Sequence, residues 1–261
     1  MKKLFLGILC ACGLTLSARA QQAANDDAMV TYAINFLDVP YVEHTLDLDG
    51  PEELVLNCDE MDCTTFVEYV LAEALCPVEN GDISESTFAQ NVVNIRYRDG
   101  KINGYTSRLH YISDWINNGV RNGFLEDITA RESRDTQKLN LNYMSTHPQE
   151  YKQLANSPEN VATMKRIEES LNGQTVHYLP EDKVPYNGLS WIKNGDIIAI
   201  TTNTPGLDIA HMGIAFYADG KLTLIHASSK EGKVVASTTT LTQMLQDNDK
   251  WTGIRVLRMK K

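Results

Sequence analysis

Apolar positions along this chain follow two different periods. Between Asp62 and Leu75 they fall at Phe66, Val67, Val70, Leu71, Ala74 and Leu75, the spacing of a helix with one buried stripe. Asp27 to Phe36 has the same character, and Glu150 to Leu171 reads as one or two helices around Pro158. From Gly195 onward β-branched and aromatic residues take over, predicting strands at Asp196–Thr201, Ile209–Ala218, Lys221–Ala227 and Gly253–Met259. Helices first and antiparallel strands last imply an α+β fold. Leu46 to Leu56 reads as acidic loop or short strand, and residues 84–150 as several short elements broken by Gly100, Gly104, Gly119 and Gly123.

The start of the chain has a different pattern. Lys2 and Lys3 precede an uncharged apolar run from Leu4 to Leu16, followed by Ala18-Arg19-Ala20. That run is too short to span a bilayer and ends in the small-x-small pattern of a cleavage site. Residues 1–20 are therefore expected to be a signal peptide cut before Gln21, and the product a periplasmic protein. Leu9-Cys10-Ala11-Cys12 offers a lesser alternative, lipid attachment at Cys12. Residues 21–261 are expected to form a single domain, because no repeat and no Pro-, Gly- or Ser-rich linker divides them. No further segment reads as an integral membrane span.

Charge narrows the partners. The whole chain carries −10, and the first twenty residues hold three of its 24 basic residues and none of its 34 acids. The exported product is thus more acidic still, which argues against nucleic acid and anionic lipid.

Cysteine usage leads to the candidate chemistry. Beyond residue 20 only Cys58, Cys63 and Cys76 remain, an odd number that leaves at least one thiol unpaired. A Cys58–Cys76 disulfide is one option, opposed by the length of the helix between them. Asp62 suits an N-cap, which places Cys63 at the first helical position and on the apolar stripe. Free N–H groups and the helix dipole there are expected to depress the thiol pKa and make it nucleophilic.

Two histidines supply a base. Residues 209–227 form a hairpin around Asp219-Gly220, so Ala218 opposes Lys221 and His226 faces Gly213. His211 shares that face, which puts the two rings diagonally within roughly 7 Å. Gly213 and Ala215 keep the face small, and the helix bearing Cys63 is expected to pack against it. His211 would take the thiol proton and His226 would orient His211. Zinc is the competing use for one cysteine and two histidines, but no paired short ligand spacing supports it, and no metal or other cofactor is expected. His44, His110, His147 and His177 have no comparable context.

These motifs resemble the NlpC-type cell-wall peptidases, relatives of papain. Asp62-Cys63-Thr64-Thr65-Phe66-Val67 is similar to their Asp-Cys-Ser-Gly-Phe-Val, and His211-Met212-Gly213-Ile214 to their His-Val-Gly-Ile. Ile225-His226-Ala227, Gly195-Asp196-Ile197-Ile198 and Pro40-Tyr41 match other segments of the family. Thr64-Thr65 departs from the pattern, as do the wide gap from Tyr41 to Cys63 and the elaborations over residues 77–190. Together with Thr106–Tyr111, Met144–Pro148 and Gly206–His211, these departures resemble the N-acetylmuramoyl-L-alanine amidase-like branch.

The resemblance implies a papain-like fold whose nucleophile helix packs on a C-terminal antiparallel sheet. It also implies cleavage of the amide joining N-acetylmuramic acid to L-alanine in muropeptide or peptidoglycan fragments, through a thioester on Cys63. Tyr41 and the Cys63 N–H are then expected beside the nucleophile and oxyanion. Arg108, Tyr111, Trp115 and Asp208 are expected to contact substrate, against the alternative that they hold the fold. Rival readings are a γ-D-glutamyl-diamino acid endopeptidase and a non-catalytic exported binding module.

Overall fold

A computed structural model describes residues 28–79 and 82–260; the expected signal peptide at 1–20 lies outside them. Three helices come first: α1 (Ala28–Asn35), α2 (Cys63–Ala74) and α3 (Glu85–Arg96). α4 (Ile112–Arg121), α5 (Pro158–Leu171) and α6 (Leu241–Gln246) follow. A seven-stranded sheet collects β1 (Leu125–Asp127), β2 (Leu179–Pro180), β3 (Ile197–Thr202), β4 (Ile209–Ala218), β5 (Lys221–Ser228), β6 (Lys233–Ala236) and β7 (Trp251–Met259). Its order is β6-β5-β4-β3-β7-β1, with β2 also on β7, and every pairing is antiparallel. The molecule is α+β, as its two hydrophobic periods require.

The hairpin forms in the expected register. Ala218 pairs with Lys221 and Ile214 with Ile225, and Asp219 and Gly220 have φ of 49° and 74°. Two left-handed residues suit a two-residue hairpin turn, whose twist matches that of the strands.

The sheet is buried on both faces. Met212, Ile214, Phe216, Ile225 and Ala227 join Phe66, Val67, Val70 and Leu71 of α2 in one core, with α1 packed outside. Ile198, Ile200, Ala215, Leu222 and Leu224 join Leu241 and Leu245 of α6 in a second. The helix bearing Cys63 therefore packs on the bulky face of β4, not on the small Gly213–Ala215 face expected for it. The bulky face offers the apolar area that a stripe of Phe, Val and Leu needs to leave water. A third cluster within the elaborations, including Tyr105, Tyr111, Leu141, Met144 and Met164, lies apart from the other two.

Buried charge ties α2 to α3. Arg96 Nε donates to Glu68 Oε2 at 2.7 Å, both side chains are almost fully buried, and Arg96 also donates to the Val55 carbonyl at 2.6 Å.

Candidate active site

The start of α2 is held by a reciprocal cap. Asp62 Oδ1 accepts from the N–H groups of Thr64 and Thr65 at 3.0 and 2.8 Å, and Asp62 N–H donates to Thr65 Oγ1 at 2.9 Å. This capping box gives Thr65 a reason to stand where the resembled motif has glycine. The cap uses the N–H groups of Thr64 and Thr65 and leaves that of Cys63 directed at its own sulfur.

Cys63 is half-buried, with its sulfur against the backbone N–H of Met212, the residue after His211. Burial, then the Asp62 carboxylate, pushes the thiol up to about 12; hydrogen bonds from Met212, Thr64 and its own N–H only partly offset them. The expected depressed pKa is not found. Desolvation of the thiolate and the capping charge outweigh the hydrogen bonds that favour it, so the resting group is a thiol. Asp62→Asn keeps an oxygen for the cap while removing the charge. Iodoacetamide should alkylate Cys63 in that variant about three- to tenfold faster at pH 8 than in the parent. An unchanged rate would remove Asp62 as a cause.

A β-bulge aims the first histidine. Ile200 pairs with His211 but Thr201 pairs with Ile209, leaving Ala210 as the extra residue. His211 Nε2 and His226 Nδ1 are 2.7 Å apart, with rings edge-on at 87°. His211 is further covered by Trp251, whose ring stacks on it at 5.7 Å and 9°. Burial lowers His211 to about 3, helped by His226, and lowers His226 to about 4, so both are neutral at pH 7. With Nε2 engaged, Nδ1 is the His211 nitrogen left to accept a proton. That requires the His211 proton to sit on Nε2 and be donated to His226.

Gly213 makes room for the pair. A Cβ there would meet the His226 Cβ at 3.0 Å and the Ile225 carbonyl at 3.1 Å. Gly213→Ala should tilt His226 away and lower kcat about ten- to a hundredfold, with little change in melting temperature. Wild-type kcat in that variant would show that His226 placement is unimportant.

Tyr41 is drawn in beside the thiol. Its N–H donates to Gly232 O at 2.9 Å, and Val42 N–H to Met61 O at 3.1 Å, one residue before the cap. The Tyr41 hydroxyl donates to Glu43 at 3.1 Å; burial, then the Cys63 charge, pushes its pKa up. A cavity of about 490 Å³ opens beyond the histidines, lined by His211, His226, Trp251 and the 228–239 stretch. Cys63 is not in that lining, which fits its approach from the helix side.

The other expected contacts serve the fold. Arg108 is spent on Glu52 at 2.5 and 2.8 Å, Asp47 at 2.9 Å and Leu46 O at 2.7 Å, pinning the acidic 46–52 loop. It borders a separate cavity with that loop. Tyr111 is buried, donating to Glu168 at 2.7 Å and accepting from Met144 N–H at 3.1 Å. Trp115 is buried in the first core. Asp208 is buried and accepts from Ser113 N–H at 2.6 Å and Ile209 N–H at 2.9 Å, tying the start of α4 to β4. None of the four lines the cavity at the histidines.

Cys58 is exposed and Cys76 buried, both as free thiols; the Cys76 sulfur donates back to Ala72 O at 3.2 Å. Among the described residues, no group of three His, Cys, Asp or Glu could hold a metal, and no helix could cross a membrane. Sequence reasoning missed Trp251 and the 228–239 wall. A tryptophan opening the last strand was a faint signal, and the wall depends on the unexpected strand β6.

An α+β frame with a half-buried thiol and a hydrogen-bonded histidine pair at one end of its sheet defines a candidate hydrolytic site. The chain belongs to the AmiA-like, N-acetylmuramoyl-L-alanine amidase-like family, whose model matches residues 31–254. It is similar to the crystal structure of an N-acetylmuramoyl-L-alanine amidase from Bacteroides uniformis, with 72% identity and a TM-score of 0.89 over 89% of this chain and 99% of that one. A Bacteroides fragilis protein with the provisional name of xylanase is 64% identical, with a TM-score of 0.86 over 88% and 99%. A Legionella pneumophila protein shares the fold at 23% identity, with a TM-score of 0.70 over 92% and 89%. No curated protein matches the chain.

Proposed function

We propose that this protein is an exported cysteine amidase that cleaves the bond between N-acetylmuramic acid and L-alanine in peptidoglycan fragments. One observation carries the mechanism: a hydrogen-bonded histidine pair stands on the strand against which the Cys63 sulfur rests. The choice of bond rests on family membership and on the B. uniformis relative, which is named for that activity. The arrangement of helix, thiol and histidines fits the NlpC-type reading of the sequence.

In the proposed reaction, His211 Nδ1 takes the thiol proton as sulfur attacks the lactyl carbonyl. The carbonyl oxygen gains the negative charge, and the Cys63 N–H, which already points at the sulfur, is placed to bind it. The tetrahedral intermediate collapses by expelling the alanine nitrogen, which receives the proton from His211. Water then attacks the thioester, gives a proton to His211 and releases the muramic carboxyl group, and the proton returns to sulfur. With burial raising the thiol and lowering the imidazole, a resting ion pair is not favoured. Proton transfer is therefore coupled to attack, and His226 stabilises the transient imidazolium by accepting from Nε2.

Mass spectrometry of a muramyl-peptide digest tests the reading. Free peptide beginning with L-Ala is the expected product. Muramyl-L-Ala-D-Glu left intact would identify an endopeptidase, and cleaved glycosidic bonds would favour the provisional name of the B. fragilis relative.

A further inference from the structure

We infer that the cavity beyond the histidine pair receives the leaving half of the substrate, a short zwitterionic peptide whose carboxylate is met by Lys230. The inference rests on the amidase reading and adds the direction in which substrate lies. His211 must hand its proton to the departing nitrogen, so the leaving group has to sit on the histidine side of the thiol. The 490 Å³ cavity is lined by His211, His226 and Trp251, so it adjoins the group that hands over the proton.

Its wall also has the matching chemistry. Lys230 is the only cation in the lining and, among the described residues, forms no ion pair. In a chain of net charge −10, an anionic ligand needs such a local cation to offset the general field. Glu231 and Asp247 occupy the same wall and suit an ammonium group, such as the new N-terminus or a diamino side chain. The acyl half, a sugar whose lactyl carboxyl is tied up in the amide, is neutral and gives Lys230 no ionic partner.

The loop carrying Lys230 is fixed against the nucleophile side. Glu231 N–H donates to Ser228 Oγ at 3.2 Å, and Gly232 O accepts from Tyr41 N–H at 2.9 Å. The Lys230 ammonium is thus presented from a braced hairpin.

Binding measured in the Cys63→Ala protein separates this inference from turnover. Calorimetry with L-Ala-γ-D-Glu-L-Lys should give a Kd that weakens about fivefold in an added Lys230→Ala and more than tenfold in Lys230→Glu. The same peptide with its carboxyl groups amidated should bind as weakly to the parent and be indifferent to Lys230→Ala. The primary amide of N-acetylmuramic acid, neutral like the acyl half of the substrate, should not respond to either change. The inference is overturned if the peptide does not bind, or if acid and amide forms bind alike whatever stands at 230. Peptide binding that depends on Lys230, without muramyl-peptide cleavage by the wild type, would sink the amidase reading and leave the subsite standing. Cleavage with no Lys230 dependence would do the reverse.

Discussion

Cys63→Ala should lower kcat on a muramyl-peptide by at least ~10⁴-fold while leaving the fold and its melting temperature nearly unchanged. The loss is large because no alternative nucleophile is positioned at the helix mouth. Thr64 Oγ1 lies 4.0 Å from the sulfur but shares none of its contact with Met212. The fold should tolerate the change because the cap on α2 runs through Asp62, Thr64 and Thr65 and does not use the thiol. Steady-state kinetics beside a thermal melt check both halves. Retention of more than a tenth of wild-type kcat would exclude Cys63 as nucleophile.

Arg96→Leu should cost about 3–5 kcal/mol of stability, because it strands the buried Glu68 carboxylate without its cation. In a domain of this size that corresponds to a melting temperature roughly 10 °C lower. Replacing both partners, as Glu68→Met with Arg96→Leu, should recover most of the loss, since two apolar side chains leave no uncompensated charge. The pH dependence has a definite sign. Burial already raises the Glu68 pKa, and losing the Arg96 cation raises it further. A carboxyl whose folded pKa is raised contributes most at low pH and loses that contribution as pH climbs through the folded value. The deficit of Arg96→Leu against wild type should therefore widen from pH 5 to pH 8. Chemical denaturation across that range checks it, and a deficit independent of pH would place the damage elsewhere. Because Glu68 sits nearly two turns beyond the N-cap of α2, activity should fall with stability in the single variant and return in the double.

The elements that carry the candidate chemistry were legible because each is local. Asp62 before an apolar stripe is enough to start a helix, and Asp219-Gly220 between β-rich runs is enough to set hairpin register. That register brings His211 and His226 to one end of the hairpin, and the bulge at Ala210 completes the aim of His211. What failed depended on packing. Which face of β4 the helix covers is decided by apolar area, and both faces of this sheet are buried, so alternation could not settle it. The thiol pKa was misjudged for a related reason. The cap is visible in sequence, but desolvation is a property of what closes over the sulfur.

The fold contacts of the expected substrate residues were hidden for a different reason. Arg108 has its best partners in Asp47 and Glu52, some sixty residues back in the chain. Nothing short-range announces such a pairing, and an arginine ready for a substrate carboxylate looks the same in sequence as one already committed. The wall of the cavity was invisible until β6 folded its hairpin over the histidine end of the sheet.

Hydroxylamine added during turnover tests thiol, acyl group and bond together, because it intercepts a thioester in competition with water. The account predicts N-acetylmuramyl hydroxamate from the wild-type protein, free peptide with an L-alanine amino terminus, and neither from Cys63→Ala. Free peptide released with no hydroxamate at any hydroxylamine concentration, or a hydroxamate on D-glutamate instead of muramic acid, would contradict it.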